Sequence, residues 1–200
     1  MHRIALALLG LAVVAPAGPS MAQQRELGAH EHGRGTLNIA LEGNRLTMEL
    51  EVPGADIVGF EHKAKSRKDK AAVAAAKQRL SQPLTLFKLP ASAGCILKEA
   101  KAVLEGEDHD HGHGHDHGKS AKAKDAKKGA EAHDDHAHSQ FHAQYAFDCK
   151  APGSITAIEL DYFRAFAGAD KLEVNLITPK GQTKLEATRA KPRLDLSGMM

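Results

Sequence analysis

The chain has 200 residues, with 27 Lys and Arg against 25 Asp and Glu for a formal net charge of +2, 4% aromatic residues and no tryptophan. A balance this close to neutral, with no continuous basic stripe, argues against nucleic acid as a partner. The scarcity of aromatics also removes the usual stacking platform for bases or sugars. Residues 1–22 read as a secretory signal peptide: Arg3, an apolar run from Ile4 to Val14, then Ser20, Met21 and Ala22, with cleavage expected after Ala22. The run is too short to span a bilayer. No other apolar stretch has membrane length, so the mature chain 23–200 is expected to be exported without membrane insertion. In a bacterium with two membranes that compartment is the periplasm.

After a polar lead containing His30, Glu31 and His32, the pattern turns to period two. Leu37, Ile39 and Leu41 alternate, and beyond Gly43 and Asn44 so do Leu46, Met48, Leu50 and Val52. This predicts an antiparallel hairpin with one buried face, ended by Pro53 and Gly54. Ala55 to His62 suggests a helical turn. Ser66 followed by Asp69 has the spacing of a helix-capping box, and Lys70 to Leu80, rich in Ala and Lys, predicts the principal helix over 66–80 with Val73, Ala76 and Leu80 on one face. Pro83 is expected to stop it, and Leu84, Leu86, Phe87 and Leu89 to anchor the following chain in the core.

Strands are expected over Gly94 to Leu104 and Phe141 to Cys149, the second with Phe141, Tyr145, Phe147 and Cys149 on one face. Further strands fall at Ile155 to Leu160, Lys171 to Thr178 and Gln182 to Thr188, with a last edge strand at Arg193 to Leu196, and a turn holding Phe163 and Phe166 lies among them. The fold class is α+β, a single domain dominated by antiparallel sheet with one principal helix. Its continuity is broken by 105–140, expected to be a disordered hairpin insert.

That insert carries the chemistry. Eight of the thirteen histidines fall in it, at His109, His111, His113, His115, His117, His133, His136 and His138, among Asp, Gly, Glu, Lys and Ala. Such a composition builds no core but offers many imidazole nitrogens and carboxylates, and imidazole is the commonest protein ligand for Zn²⁺, Cu²⁺ and Ni²⁺. Several sites of similar energy would compete there, each weakened by the entropy of ordering the segment, which favours collection and release. A solvated linker and a pH sensor are the competing readings of the run. Outside it, His30, His32, His62 and His142 are candidates for a separate ordered site, although sequence alone does not bring them together. Cys95 and Cys149 flank the insert, and two cysteines in an exported chain usually pair; two buried free thiols are the alternative.

The order of these features resembles the zinc-regulated periplasmic proteins of the ZrgA family. The likeness rests on His30-Glu-His-Gly33 before a hairpin, Gly59-Phe-Glu-His62, Gly94-Cys95, the His/Asp-rich insert, Phe141-His142 with Tyr145 and Cys149, and Leu172 to Pro179. It implies a role in zinc acquisition, assisting or supplying the zinc-binding solute-binding protein of an ABC importer. The insert departs from a purely histidine and acidic segment in Lys119, Lys122, Lys124, Lys127 and Lys128, whose charges repel bound cations. A nickel or copper buffer against metal excess is the alternative. A zinc hydrolase built on His30, His32, His62 and Glu31 or Glu61 is the weaker reading, because nothing matches His-Glu-x-x-His or another closed catalytic motif.

Overall fold

The structure, a computed structural model, describes residues 31–106 and 139–200. The signal peptide, His30 and the histidines from His109 to His138 lie outside the described residues.

Alternating apolar residues make the first hairpin, β1 (Arg34–Glu42) and β2 (Arg45–Pro53), in antiparallel register with Leu37 opposite Leu50, Ile39 opposite Met48 and Leu41 opposite Leu46. All six of these side chains are buried. A two-residue turn joins the strands, and Gly43 takes φ +58° there, where a side chain would be strained. α1 (Gly54–Val58) follows directly, and Gly59 at φ +84° ends it. α2 (Arg67–Leu80) begins where Ser66 Oγ accepts the Asp69 N–H at 3.0 Å, and it buries Val73, Ala76 and Leu80. The capping serine is worth about 1 kcal/mol over alanine.

Pro83 does more than stop the helix as expected. α2 ends at Leu80, and Pro83 opens a further short helix, α3 (Pro83–Leu86), where its fixed φ and missing N–H suit the first turn. Leu86 and Phe87 enter the core as expected, but Leu84 is 44% exposed because this helical turn points it outward.

β3 (Phe87–Lys88) leads to β4 (Cys95–Glu105), which pairs antiparallel with β5 (Gln140–Cys149) from Cys95 opposite Cys149 to Glu105 opposite Gln140. The two cysteines form a disulfide. These strands run to the edges of the insert, so Glu105 and Gln140, assigned to it from sequence, belong to the sheet. The strand expected from Ile155 begins later, at β6 (Ala157–Leu160), because Pro152–Ser154 forms a helical turn first. α4 (Tyr162–Ala165), β7 (Lys171–Thr178), β8 (Gly181–Thr188) and β9 (Arg193–Asp195) complete the chain.

The fold is β-rich, with α2 the one long helix among the described residues. Six strands form a sheet in the order β4-β5-β2-β1-β7-β8, and β3-β6-β9 form a second. All neighbours are antiparallel except β1 and β7, which run parallel through the middle of the larger sheet. One apolar cluster joins the inner face of that sheet to α2, Phe87, Tyr162, Ile158 and Leu194. Tyr162 is its hub, with ring centroids at 5.3 Å from both Phe163 and Phe166 and 6.1 Å from Phe87. Among the described residues no helix is long and apolar enough to cross a membrane.

Candidate metal centre

The described histidines all sit toward one end of the larger sheet, where β2 ends, β1 begins and the insert is rooted. His32 precedes β1. Gly33, at φ +83°, is pinned on two sides: its N–H donates to Asp56 Oδ1 at 2.8 Å, and its carbonyl accepts from the N–H groups of Asp170 and Lys171 at 2.9 and 2.8 Å. This close approach puts His32 Nε2 at 3.1 Å from Glu61 Oε1, with the imidazole 67% exposed and the carboxylate mostly covered. Asp56, from α1, is itself buried, and its Oδ2 has no hydrogen-bond partner among the described residues. Burial pushes the Asp56 carboxyl up; the Gly33 N–H and the His32 charge oppose the rise without cancelling it, and Glu61 and Asp170 add to it.

The segment after Gly59 carries both Glu61 and His62. The His62 ring stacks on Phe60 at 4.6 Å between centroids, and its Nε2 lies 3.5 Å from Asp69 Oδ2 in the first turn of α2. Although adjacent in sequence, Glu61 and His62 thus face different partners.

His142 occupies the open face of the sheet. In β5 the odd positions Phe141, Ala143 and Tyr145 fill the core, so His142 and Gln144 point the other way. His142 stands opposite Glu51 of β2, and Gln144 opposite Glu49. His142 Nε2 is 2.7 Å from Glu49 Oε1, to which the Gln144 amide also donates at 3.4 Å. On the other side of the ring, Nδ1 lies 3.8 Å from Glu105 Oε1. Partial burial pushes the Glu49 carboxyl up, but the hydrogen bonds from His142 and Gln144 together with the His142 charge outweigh it and hold the group below its ordinary range.

The structure therefore divides the histidines proposed from sequence. His32 meets Glu61, His62 meets Asp69, and His142 meets Glu49 and Glu105. Among the described residues the set with at least three metal-competent side chains in mutual reach is Glu49, Glu51 and His142, whose donor atoms lie within 4.8 Å of one another. Sequence reasoning passed over Glu49, Glu51 and Glu105. The available signal was the alternation of β2, which sends Glu49 and Glu51 to the same face. Their pairing with His142 depends on β2 lying beside β5, 93 residues away.

Both ends of the insert meet this neighbourhood. The chain leaves the described structure at Glu105–Gly106, beside His142, and re-enters at Ser139. The Ser139 carbonyl accepts the Gly54 N–H at 2.7 Å, and a Cβ built on Gly54 would lie 2.3 Å from Ser139 Oγ and 2.9 Å from the Phe60 carbonyl. The returning chain is thus packed against the turn that presents Glu61 and His62.

The family model described as ZrgA family zinc uptake protein matches residues 29–196. No curated protein matches the chain.

Proposed function

As the chain belongs to the ZrgA family of zinc uptake proteins, we propose that it is an exported, periplasmic zinc-binding protein, without catalytic activity of its own, that captures Zn²⁺ and delivers it to the solute-binding protein of an ABC importer. The observation that carries this reading is the siting of the histidine-rich segment. Its two ends are fixed at the end of the sheet where His32, His62 and His142 are presented, each beside a carboxylate. Neutral imidazoles of the insert supply many weak donors, and groups held by the sheet supply fewer but better positioned ones, whose ordering entropy folding has already paid.

Two measurements test it. Calorimetric zinc titration at pH 7.4 compares the mature chain with one in which 107–138, the stretch between the sheet residues Glu105 and Gln140 and their neighbours, is replaced by a short Gly-Ser linker; the expected result is loss of the weaker binding events with retention of a tight one. Delivery is tested by mixing the zinc-loaded chain with the metal-free solute-binding protein of the importer. Transfer faster than release of Zn²⁺ to a chelator of equal affinity is expected, and equal rates would refute delivery.

A further inference from the structure

We propose that Glu49, Glu51 and His142 form an ordered site for one divalent cation of the zinc class on the open face of the larger sheet, with Glu105 holding the imidazole in place. This deepens the uptake reading and rests on it for the identity of the cation.

The site follows from strand geometry. Residues two apart on a strand share a face, so β2 presents Glu49 and Glu51 side by side, and the antiparallel register sets His142 directly opposite Glu51. Two neighbouring carboxylates repel, and their local compensation is unequal. Glu49 has the His142 ring and the Gln144 amide, whereas the Glu51 side chain has no hydrogen bond or ion pair among the described residues. Across β5, the position opposite His142 is Val103, while Lys101 stands one row away, opposite Gln144. One imidazole therefore stands among three carboxylates, Glu49, Glu51 and Glu105, an arrangement that a divalent cation would balance.

The donor set also fits. One imidazole nitrogen and two carboxylate oxygens are three protein ligands of the kind that hold Zn²⁺ with a position left open. In a tetrahedral shell with bonds near 2.1 Å, donors stand about 3.4 Å apart. The three donors already lie within 4.8 Å of one another, with His142 and Glu49 at 2.7 Å, so an ion entering between them would need that pair to open and the Glu51 carboxylate to adjust by side-chain rotation. The hard carboxylates disfavour Cu⁺, which prefers thiolate and thioether.

Glu105 supplies the remaining part. With His142 Nε2 facing Glu49, the Nδ1 edge faces the Glu105 carboxylate at 3.8 Å, and a small side-chain shift makes this the hydrogen bond that metal-bound histidines commonly donate from their second nitrogen. Glu105 is a positioning residue. It is also the last residue of β4, at the root of the insert, and an open coordination position beside it suits a site that exchanges its ion.

The experiment is a zinc titration of the full mature chain, read by ¹⁵N–¹H correlation of the histidine rings, with the His142 signals assigned by their absence in His142→Gln. The expected result is a coordination shift at His142 Nε2 that is abolished in Glu49→Gln/Glu51→Gln, while other histidines still respond. In Glu105→Gln the His142 response is retained but at least tenfold weaker. A His142 ring that stays unperturbed in the wild-type chain at saturating zinc overturns the site, and this reading needs no variant to fold. An unchanged response in the double variant overturns it equally. Either negative result with zinc still bound elsewhere leaves the uptake reading standing, whereas a positive result with no transfer to the importer's solute-binding protein refutes delivery and keeps the site.

Discussion

The disulfide and the insert give a quantitative test of how the fold tolerates so long an interruption. The Cys95–Cys149 bond spans 54 residues of sequence, and the chain-entropy model assigns closure of such a loop about 4 kcal/mol at 25 °C. Replacing residues 107–138 by eight Gly and Ser residues shortens the loop to about 30 residues and lowers that contribution only to about 3.6 kcal/mol, because closure entropy varies with the logarithm of length. The two changes should therefore be nearly additive, with a coupling of about 0.5 kcal/mol. The assay is urea unfolding of four proteins: the parent, Cys95→Ala/Cys149→Ala, the linker replacement, and the combination. Removing the sulfurs also costs packing around the fully buried Cys149, but this loss is common to both arms and cancels in the cycle. A coupling above about 2 kcal/mol would refute the reasoning, since the insert would then contribute to stability by more than the length of chain it adds.

Three other outcomes follow from particular contacts. Asp56→Asn keeps an oxygen for the Gly33 N–H but removes a buried charge, so it should raise stability above neutral pH on the order of 1 kcal/mol. The Asp56 pKa is raised by folding, so the folded state holds the proton more tightly and wild-type stability grows as pH falls from the folded value toward the unfolded one. Thermal unfolding from pH 4 to 8 should show that slope reduced in the variant, and an unchanged slope would refute the assignment. Gly168→Ala would place a Cβ 2.8 Å from both the Cα and the carbonyl oxygen of Asp56, which is backbone and cannot swing away; a loss of about 1–3 kcal/mol in urea unfolding is expected. Arg189→Lys should cost about 2 kcal/mol by the same measure, because the guanidinium donates to the carbonyls of Phe163, Phe166, Ala167 and Ala169 at once, and a lysine ammonium has neither the fork nor the reach to replace it.

What could be read from sequence was what strand and helix periodicity determine locally. The β1–β2 hairpin, α2 with its Ser66 cap and the outward position of His142 follow from alternation or capping within a few residues. The pairing of Cys95 with Cys149 was also legible, because two strands bracketing an insert have one economical way to meet. The parallel contact of β1 with β7 was not, since alternation reads the same in either direction and these strands are 137 residues apart at Asn38 and Asn175. Pro83 was legible as the stop after α2 but not as the start of α3, because proline ends one helix and opens another with equal ease, and only the surrounding packing decides. The acidic partners of His142 were hidden for the same reason as the parallel pair: Glu49 and Glu51 look like ordinary solvated residues until β5 is brought beside them.

The long-range contacts also explain why the candidate site and the stability of the fold are separable. In β2, Met48, Leu50 and Val52 are almost fully buried while Glu49 and Glu51 alternate between them on the open face; in β5, Phe141, Ala143 and Tyr145 do the same around His142 and Gln144. The apolar set holds the two strands in register whatever stands on the other face. That register in turn sets the imidazole against the carboxylates. The disulfide fixes the far end of the β4–β5 pair, at Cys95 and Cys149, while Glu105 and His142 lie at the end from which the insert departs. A disulfide at one end and the departure of the histidine-rich segment at the other leave the strands between them to transmit position, not motion. Metal donors placed on such strands are preorganised by the core beneath them, and their chemistry can change without disturbing it.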